Sequence, residues 1–182
     1  MRRPTLFLTV GLPGTGKTTD ARRIEVEKKA LRLTKDEWLK ALYGLAKQSS
    51  ASDVIEGRLI EIGLRALELG INVVIDYGLW GRDERSALRQ AAADLGAAVE
   101  MRYFELTPAE QRRRLDRRQA EQPHTTWHMS DEGVRTLLRR WGGEIAWEDP
   151  NGGRVVDVGR HRDCTEGTRP ADHPGPHRAR GA

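Results

Sequence analysis

The chain has 182 residues, 37% of them hydrophobic, and a formal net charge of +4. This length suits one domain with a buried core, and the charge is compatible with an anionic ligand such as a nucleotide without indicating nucleic-acid binding. The single cysteine excludes an internal disulfide framework, and the sequence contains no apolar run of about eighteen residues, the length that crosses a membrane. We therefore expect a cytoplasmic protein with no membrane partner; composition does not determine its oligomeric state.

The amino-terminal segment has the pattern of a phosphate-binding site. Residues 5–10 are apolar and rich in β-forming side chains, which predicts a buried strand. Residues 18–30 contain neither proline nor glycine and predict a helix. Between them, Gly11–Thr18 fits G-x-x-x-x-G-K-[ST], the P-loop pattern, and the flanking strand and helix are the context that this pattern requires.

The chemistry of this loop favours ATP and Mg²⁺. Glycines let the backbone curve round a phosphate with its N–H groups pointing inward, and the start of the helix adds partial positive charge. We interpret Lys17 as the cation for the β- and γ-phosphates and Thr18 as a ligand of Mg²⁺. The alternative is a turn that only joins strand to helix. The residues predicted to bind ATP are Gly11, Pro13, Gly14, Thr15, Gly16, Lys17, Thr18 and Thr19.

The elements that follow are a short strand and two helices. Residues 31–33 predict the strand, and the spacing of Thr34 and Glu37 predicts a capping box that starts the first helix. Residues 48–52 have the composition of a loop. Apolar residues then recur four and three positions apart, which predicts an amphipathic helix ended by Gly70. The apolar face of that helix is predicted to contain Ile55, Leu59, Ile62, Ala66 and Leu69.

The second half of the chain continues the alternation of strands and helices. The predicted strands are 71–76, 98–106 and 154–158, and the predicted helices are 82–95, one from Thr107 to the residue before Pro123, and one from Ser130. Residues 1–158 therefore predict an α/β domain with a mainly parallel sheet between layers of helices. Residues 159–182 have almost nothing apolar to bury and predict a disordered tail.

Polar segments follow three of the predicted strands. They are residues 11–18, 34–38 and 76–85. In open parallel sheets, ligands bind beyond the carboxyl ends of the strands. The three segments are therefore predicted to converge on one site at that edge of the sheet.

Two aspartates in these segments have the chemistry of a phosphoryl-transfer site. Such a site needs a cradle for the phosphates, a positioned acceptor hydroxyl and positive charge on the transferring group. Asp36 is the candidate that orients the acceptor hydroxyl, with stabilisation of a helix start as the alternative. Asp76 ends an apolar strand and is the candidate for Mg²⁺ or substrate; the alternative is a turn aspartate before Gly78.

Four other side chains near this edge are candidates for acceptor binding. Arg82 and Arg85 begin a helix, where the dipole disfavours cations, so a ligand is one reason for them; a solvated helix face is the other. Trp38 and Trp80 follow strand ends and either line an acceptor pocket or pack in the core.

An arginine-rich helix is the candidate lid. Arg114 and Arg118 lie one turn apart, and a lid of a kinase must bring cations to the γ-phosphate and exclude water. We expect at least one of them to be catalytic. The alternative is an ordinary charged helix face.

Four segments together resemble the small P-loop kinases often labelled as AAA-domain ATP-binding proteins, a group that includes chloramphenicol phosphotransferase, zeta toxins and polynucleotide kinase domains. They are Gly11–Thr19, Leu33–Trp38, Val73–Trp80 and Arg114–Arg118. The resemblance extends over residues 5–158. It implies a P-loop NTPase fold, with a five-stranded sheet in the order 2-3-1-4-5 between two layers of helices. It also implies that Asp36 is the acceptor-side catalytic carboxylate, that Arg118 is a lid arginine, and that residues 147–150 lie near the nucleotide base.

These observations predict an ATP-dependent, Mg²⁺-requiring kinase that phosphorylates a hydroxyl of a small molecule, such as a nucleoside, a sugar-like metabolite or an antibiotic. The alternatives are a 5′-hydroxyl polynucleotide kinase, a regulatory nucleotide-binding NTPase, and a toxin-like kinase that acts on a cell-wall nucleotide sugar. Asp36 separates the kinase from the regulatory NTPase, because only the kinase needs a carboxylate for an acceptor. A nucleic-acid partner is not favoured, because nothing in the sequence marks a basic groove.

Overall fold

A computed structural model describes residues 3–44, 49–122, 127, 129–140 and 154–157. Its centre is a five-stranded sheet in the order β2-β3-β1-β4-β5, and every strand pair is parallel. The strands are β1 (Thr5–Gly11), β2 (Leu31–Leu33), β3 (Val73–Ile75), β4 (Ala98–Phe104) and β5 (Arg154–Asp157). The predicted α/β class and strand order are confirmed.

Helices connect the strands. They are α1 (Lys17–Lys28), α2 (Lys35–Tyr43), α3 (Ser49–Glu68), α4 (Arg82–Asp94), α5 (Pro108–Glu121) and α6 (Asp131–Arg140). The predicted start and stop signals of these helices are confirmed where they depend only on neighbouring residues in the chain. Thr107 accepts a hydrogen bond from the Glu110 backbone N–H, 3.3 Å away, at the start of α5. Gly70 and Gly96 follow α3 and α4 with φ angles of 79° and 70°, a region that glycine adopts without strain.

The sheet has a different hydrophobic cluster on each face. Side chains alternate in direction along a strand, so neighbouring residues of β1 and β3 enter opposite layers. The larger cluster packs β1 and β3 against α3 and α4; its residues include Leu6, Leu8, Val73, Ile75, Leu59, Leu67 and Leu88. The smaller cluster packs the same two strands against α1; its residues are Phe7, Val74, Ala21, Ile24 and Ala30.

The buried face of α3 agrees with the prediction at Leu59 and Ala66 and differs from it at Ile62 and Leu69. Residues 49–52, predicted as a loop, belong to this helix, and Ile62 and Leu69 are 44% and 63% exposed. The reason is a close approach at Gly63, where a Cβ atom would lie 3.0 Å from Leu33. This approach turns the face that contains Leu59, Ala66 and Leu67 toward the sheet, and these three are buried.

The predicted capping box of α2 does not form. Thr34 is at the N-cap position, but its side chain makes no capping hydrogen bond. Its hydroxyl instead lies 3.4 Å from an Asp76 carboxylate oxygen and also accepts from Arg32, while Glu37 pairs with Arg32 at 2.9 Å. Tertiary partners therefore replace the local bonds that the spacing suggested.

Two sequence predictions fall on parts of the chain that the structure does not describe. These are the disordered tail, residues 159–182, and the segment near the base, residues 147–150. Within the described ranges, no helix combines the length and the apolar character needed to cross a membrane.

Candidate active site

The P-loop joins β1 to α1 and is held from two sides. Gly14 and Gly16 have φ angles of 83° and 102°, which side chains with a Cβ atom rarely adopt. Inside the loop, the Thr15 hydroxyl donates to the Leu12 carbonyl at 2.8 Å. From α5, the Gln111 amide donates to the Pro13 carbonyl at 2.8 Å. The loop is therefore held in a curved shape at the N-terminus of α1, where an anion is favoured.

Lys17 is the cation of this loop. Its ammonium group donates to the Leu12 carbonyl at 2.7 Å. Desolvation by burial lowers the pKa of Lys17 to about 8, against the opposing effect of the Asp76 and Asp36 carboxylates, and the charge of Arg118 lowers it further. These interactions mean that residues predicted from three separate segments lie within electrostatic reach of one ammonium group.

Asp76 lies directly after β3, beside the start of α1. It is 7% exposed, and one of its oxygens accepts from the Thr18 hydroxyl at 3.2 Å. Burial raises the pKa of Asp76, and the hydrogen bond from Thr18 and the charges of Lys17 and Arg32 oppose that rise. A hydroxyl and a carboxylate beside a phosphate cradle are the oxygen ligands that Mg²⁺ takes in nucleotide sites. Thr18 and Asp76 therefore fit the predicted metal. Thr19 is exposed one residue further along α1.

Arg32 is a site residue that the sequence analysis missed. It lies on β2 with its side chain 11% exposed and reaches Glu25 at 3.0 Å, Glu37 at 2.9 Å and Asp76 at 3.5 Å. It thereby ties α1 and α2 to the carboxylate that meets Thr18. The sequence does contain an indication of this role, because an arginine between two leucines in a short strand needs partners for its charge.

The acceptor-side candidates lie on α2 and α5. Asp36 is exposed in the first turn of α2, and its charge acts on Lys17 and Asp76. Trp38, two residues on, is 49% exposed and so is not core. Arg118 is exposed on α5 and lowers the pKa values of both Lys17 and Lys40, so it lies within electrostatic reach of the P-loop and of α2.

Arg114, the other lid candidate, is engaged within its own helix. Its guanidinium pairs with Glu110 at 2.8 Å, one turn earlier. The structure thus brings Arg118, rather than Arg114, next to the P-loop lysine.

The loop between β3 and α4 packs against the P-loop. The Trp80 indole N–H donates to the Gly11 carbonyl at 3.3 Å, and Gly11 N–H donates to the Gly78 carbonyl at 3.2 Å. A Cβ atom on Gly78 would lie 2.1 Å from the Trp80 indole nitrogen, so only glycine fits there. Trp80 therefore contacts the backbone of the phosphate loop.

Arg85 binds the backbone of the loop between β3 and α4. It is 7% exposed, and the same nitrogen donates to the Leu79 carbonyl at 2.8 Å and the Trp80 carbonyl at 3.0 Å. This geometry favours a positioning role for Arg85 over the predicted acceptor contact, because the side chain is buried and one guanidinium nitrogen already donates to two backbone carbonyls. Arg82, by contrast, is exposed at the start of α4.

The profile of the AAA-domain family matches residues 6–140 of the chain. No curated protein sequence matches the chain. Among solved structures, it is similar to a candidate kinase from Chloroflexus aurantiacus J-10-fl, with a TM-score of 0.68, 17% identity, and coverage of 87% of this chain and 89% of that one. It is also similar to a gluconokinase from Sinorhizobium meliloti 1021, with a TM-score of 0.53, 19% identity, and coverage of 87% and 85%.

A third similar structure is a chain of the Pnkp1/Rnl/Hen1 RNA repair complex. Its TM-score is 0.65 at 22% identity, and the alignment covers 78% of this chain but 45% of that one. At these identities the likeness is one of fold. The profile, however, spans the P-loop, both aspartates and the arginine-rich helix. The chain therefore belongs to the AAA-domain family and has the fold of the small P-loop kinases.

Proposed function

We propose that this protein is an ATP-dependent kinase that transfers the γ-phosphate to a hydroxyl group of a small molecule. The observation that carries the proposal is the curved P-loop with Asp76 accepting from Thr18 at 3.2 Å, and with Asp36 and Arg118 within electrostatic reach of Lys17. A phosphate cation, a metal-side carboxylate, an acceptor-side carboxylate and a second cation are the parts that phosphoryl transfer needs.

Each part has a defined task in the reaction. The P-loop backbone and Lys17 hold the β- and γ-phosphates, and Thr18 and Asp76 hold Mg²⁺, which neutralises phosphate charge. Asp36 accepts a hydrogen bond from the acceptor hydroxyl and takes its proton as the oxygen bonds to the γ-phosphorus. The bond between that phosphorus and the bridging oxygen breaks, and ADP leaves. Arg118 places positive charge on the transferring group.

The test is ATP consumption by the full chain with Mg²⁺ and a panel of hydroxyl acceptors, comparing Asp36→Asn with Asp83→Asn. The two aspartates are matched, because each is the second residue of a helix and each is exposed. We expect Asp36→Asn to reduce acceptor-dependent turnover by about 10²–10³-fold with ATP affinity nearly intact, which is the usual scale for a lost general base. Asp83→Asn should keep wild-type turnover.

Equal losses in the two variants would assign Asp36 to helix stability and reject its catalytic role. Acceptor-independent hydrolysis that is unchanged in Asp36→Asn would identify a regulatory NTPase instead.

A second candidate is a 5′-hydroxyl nucleic-acid kinase. Trp38 is 49% exposed in the same helical turn as Asp36, and an exposed indole close to the acceptor side of a site is suited to stack on a terminal base. A 5′-hydroxyl oligonucleotide in the same panel distinguishes the two. Turnover with the oligonucleotide alone, lost in Trp38→Ala, would favour this candidate over the small-molecule kinase.

A further inference from the structure

A compact polar cluster lies on the other side of β3 from Asp76. It consists of Lys35, Glu56 and Glu84, which come from the first turn of α2, from α3 and from the first turn of α4. The Lys35 ammonium pairs with Glu56, and the Glu84 carboxyl lies within electrostatic reach of the Glu56 carboxyl. Burial, together with the neighbouring Glu56 carboxyl, raises the pKa of Glu84 to about 7.

Tyr77 lies beside this cluster, and its hydroxyl is buried. The residue is 5% exposed, and among the described residues its hydroxyl finds no hydrogen-bond partner. Lys35 Nζ lies 5.7 Å from the centre of its ring, and the charges of Glu56 and Glu84 act on the phenol. A buried hydroxyl without a partner costs about 1–3 kcal/mol, so phenylalanine would suit a purely structural role better.

Two residues of the cluster are chain neighbours of the proposed active-site aspartates. Lys35 precedes Asp36 in the chain and Tyr77 follows Asp76. The side chains of Lys35 and Glu56 are 23% and 22% exposed, so both are partly accessible to solvent. A ligand bound beside Asp36 would therefore lie next to the two partly exposed members of the cluster.

We propose that Lys35, Glu56, Tyr77 and Glu84 form a subsite that binds the non-reacting hydroxyls of an uncharged polyhydroxyl acceptor, such as a sugar. The inference rests on the proposed kinase function and narrows its acceptor class. A hydroxyl group both donates and accepts hydrogen bonds, and this subsite offers carboxyl acceptors, an ammonium donor, and a phenol that can do both. A phosphorylated acceptor would meet two carboxyl groups with one lysine to offset them, which is unfavourable.

The decisive variant is Tyr77→Phe, because it removes the hydroxyl and keeps the ring. We expect its melting temperature to equal or exceed that of the wild type, while KM for a neutral sugar rises at least about tenfold and KM for ATP stays unchanged; about tenfold corresponds to one lost hydrogen bond in a binding site. Tyr43→Phe is the control, since Tyr43 is 41% exposed on α2. A stabilised Tyr77→Phe variant with an unchanged KM for the sugar would reject the subsite.

Direct binding separates failure of the subsite from failure of the kinase assignment. Calorimetric titration of wild type, Tyr77→Phe and Glu84→Gln with glucose, ribose, glucosamine and glucose 6-phosphate needs no phosphoryl transfer. We expect the neutral sugars to bind the wild type and to bind both variants at least about tenfold more weakly. Stronger binding of glucosamine or glucose 6-phosphate, or no binding of any sugar, would reject the inference. Sugar binding that the variants lose, without any transfer from ATP, would reject the kinase function and retain the subsite.

Discussion

The phosphate half and the acceptor half of the candidate site are built in different ways. The phosphate half is one continuous stretch, Gly11–Thr18, in which glycine conformations and backbone hydrogen bonds set the shape. The acceptor half is assembled from side chains on three helices and the end of β3, and its central contact joins residues 21 positions apart. A contiguous backbone cradle suits a ligand common to many enzymes, whereas scattered side chains can change one at a time.

Both halves hold polar groups at a cost to stability. In the phosphate half, desolvation lowers the pKa of Lys17 to about 8. In the acceptor half, the Tyr77 hydroxyl is buried without a partner among the described residues. Such groups are expected where binding a ligand, rather than folding, is the reason for them.

The largest effect is expected in the phosphate half, for Lys17→Met. Loss of the ammonium should reduce ATP turnover by at least about 10³-fold, as removal of a main phosphate contact does, while the free protein becomes equally or more stable because a desolvated charge is gone. Calorimetric ATP titration and thermal unfolding measure the two effects. Lys28→Met, at the exposed end of α1, is the control. Retained ATP affinity in Lys17→Met would overturn the assignment of the P-loop.

An intermediate effect is expected where the two halves meet, for Arg85→Met. Two buried carbonyl groups, those of Leu79 and Trp80, lose their donor, which should lower the free energy of unfolding by about 2 kcal/mol. Because Trp80 contacts the P-loop and Tyr77 begins the same connection, KM should rise for both ATP and acceptor. Urea unfolding and steady-state kinetics test this, with the exposed Arg58→Met as control. A rise in the acceptor KM alone, without loss of stability, would instead make Arg85 an acceptor ligand.

The smallest effect is expected in the acceptor half, as a pH dependence of stability. Glu84 has a pKa of about 7 in the folded chain against an ordinary value of 4.5, so the folded state holds the extra proton between these values. Stability from this group is therefore full below about pH 4.5 and is lost as pH rises through about 7.

Glu84→Gln should remove that dependence. Relative to the wild type, the variant should gain on the order of 1 kcal/mol between pH 5 and pH 8, a value reduced for solvent screening of a half-buried group. Urea unfolding at the two pH values measures it, with Glu61→Gln as the exposed control. Parallel changes in wild type and Glu84→Gln would show that Glu84 does not hold the extra proton in the folded chain.

Sequence alone was sufficient for the P-loop, the order of strands and helices, and the convergence of three polar segments on one sheet edge. These features depend on local chemistry: glycines at left-handed positions, Pro108 at the first position of α5, and apolar runs that must be buried. The edge convergence follows from parallel strands and needs no knowledge of individual contacts.

Tertiary structure decided which partners the polar residues take. Thr34 and Glu37 have the spacing of a capping box, yet Arg32 and Asp76 engage Thr34 and Arg32 engages Glu37. The buried face of α3 was set by the close approach at Gly63, which hydrophobic periodicity does not register.

The phosphate half follows from the sequence alone, because its geometry arises within eight consecutive residues, Gly11–Thr18. Only the tertiary structure revealed the acceptor cluster and the positioning role of Arg85. Lys35 and Glu56 are 21 positions apart, and Arg32 and Asp76 are 44 apart. Contacts over such separations depend on how the helices pack on the sheet, and local sequence patterns do not specify that packing.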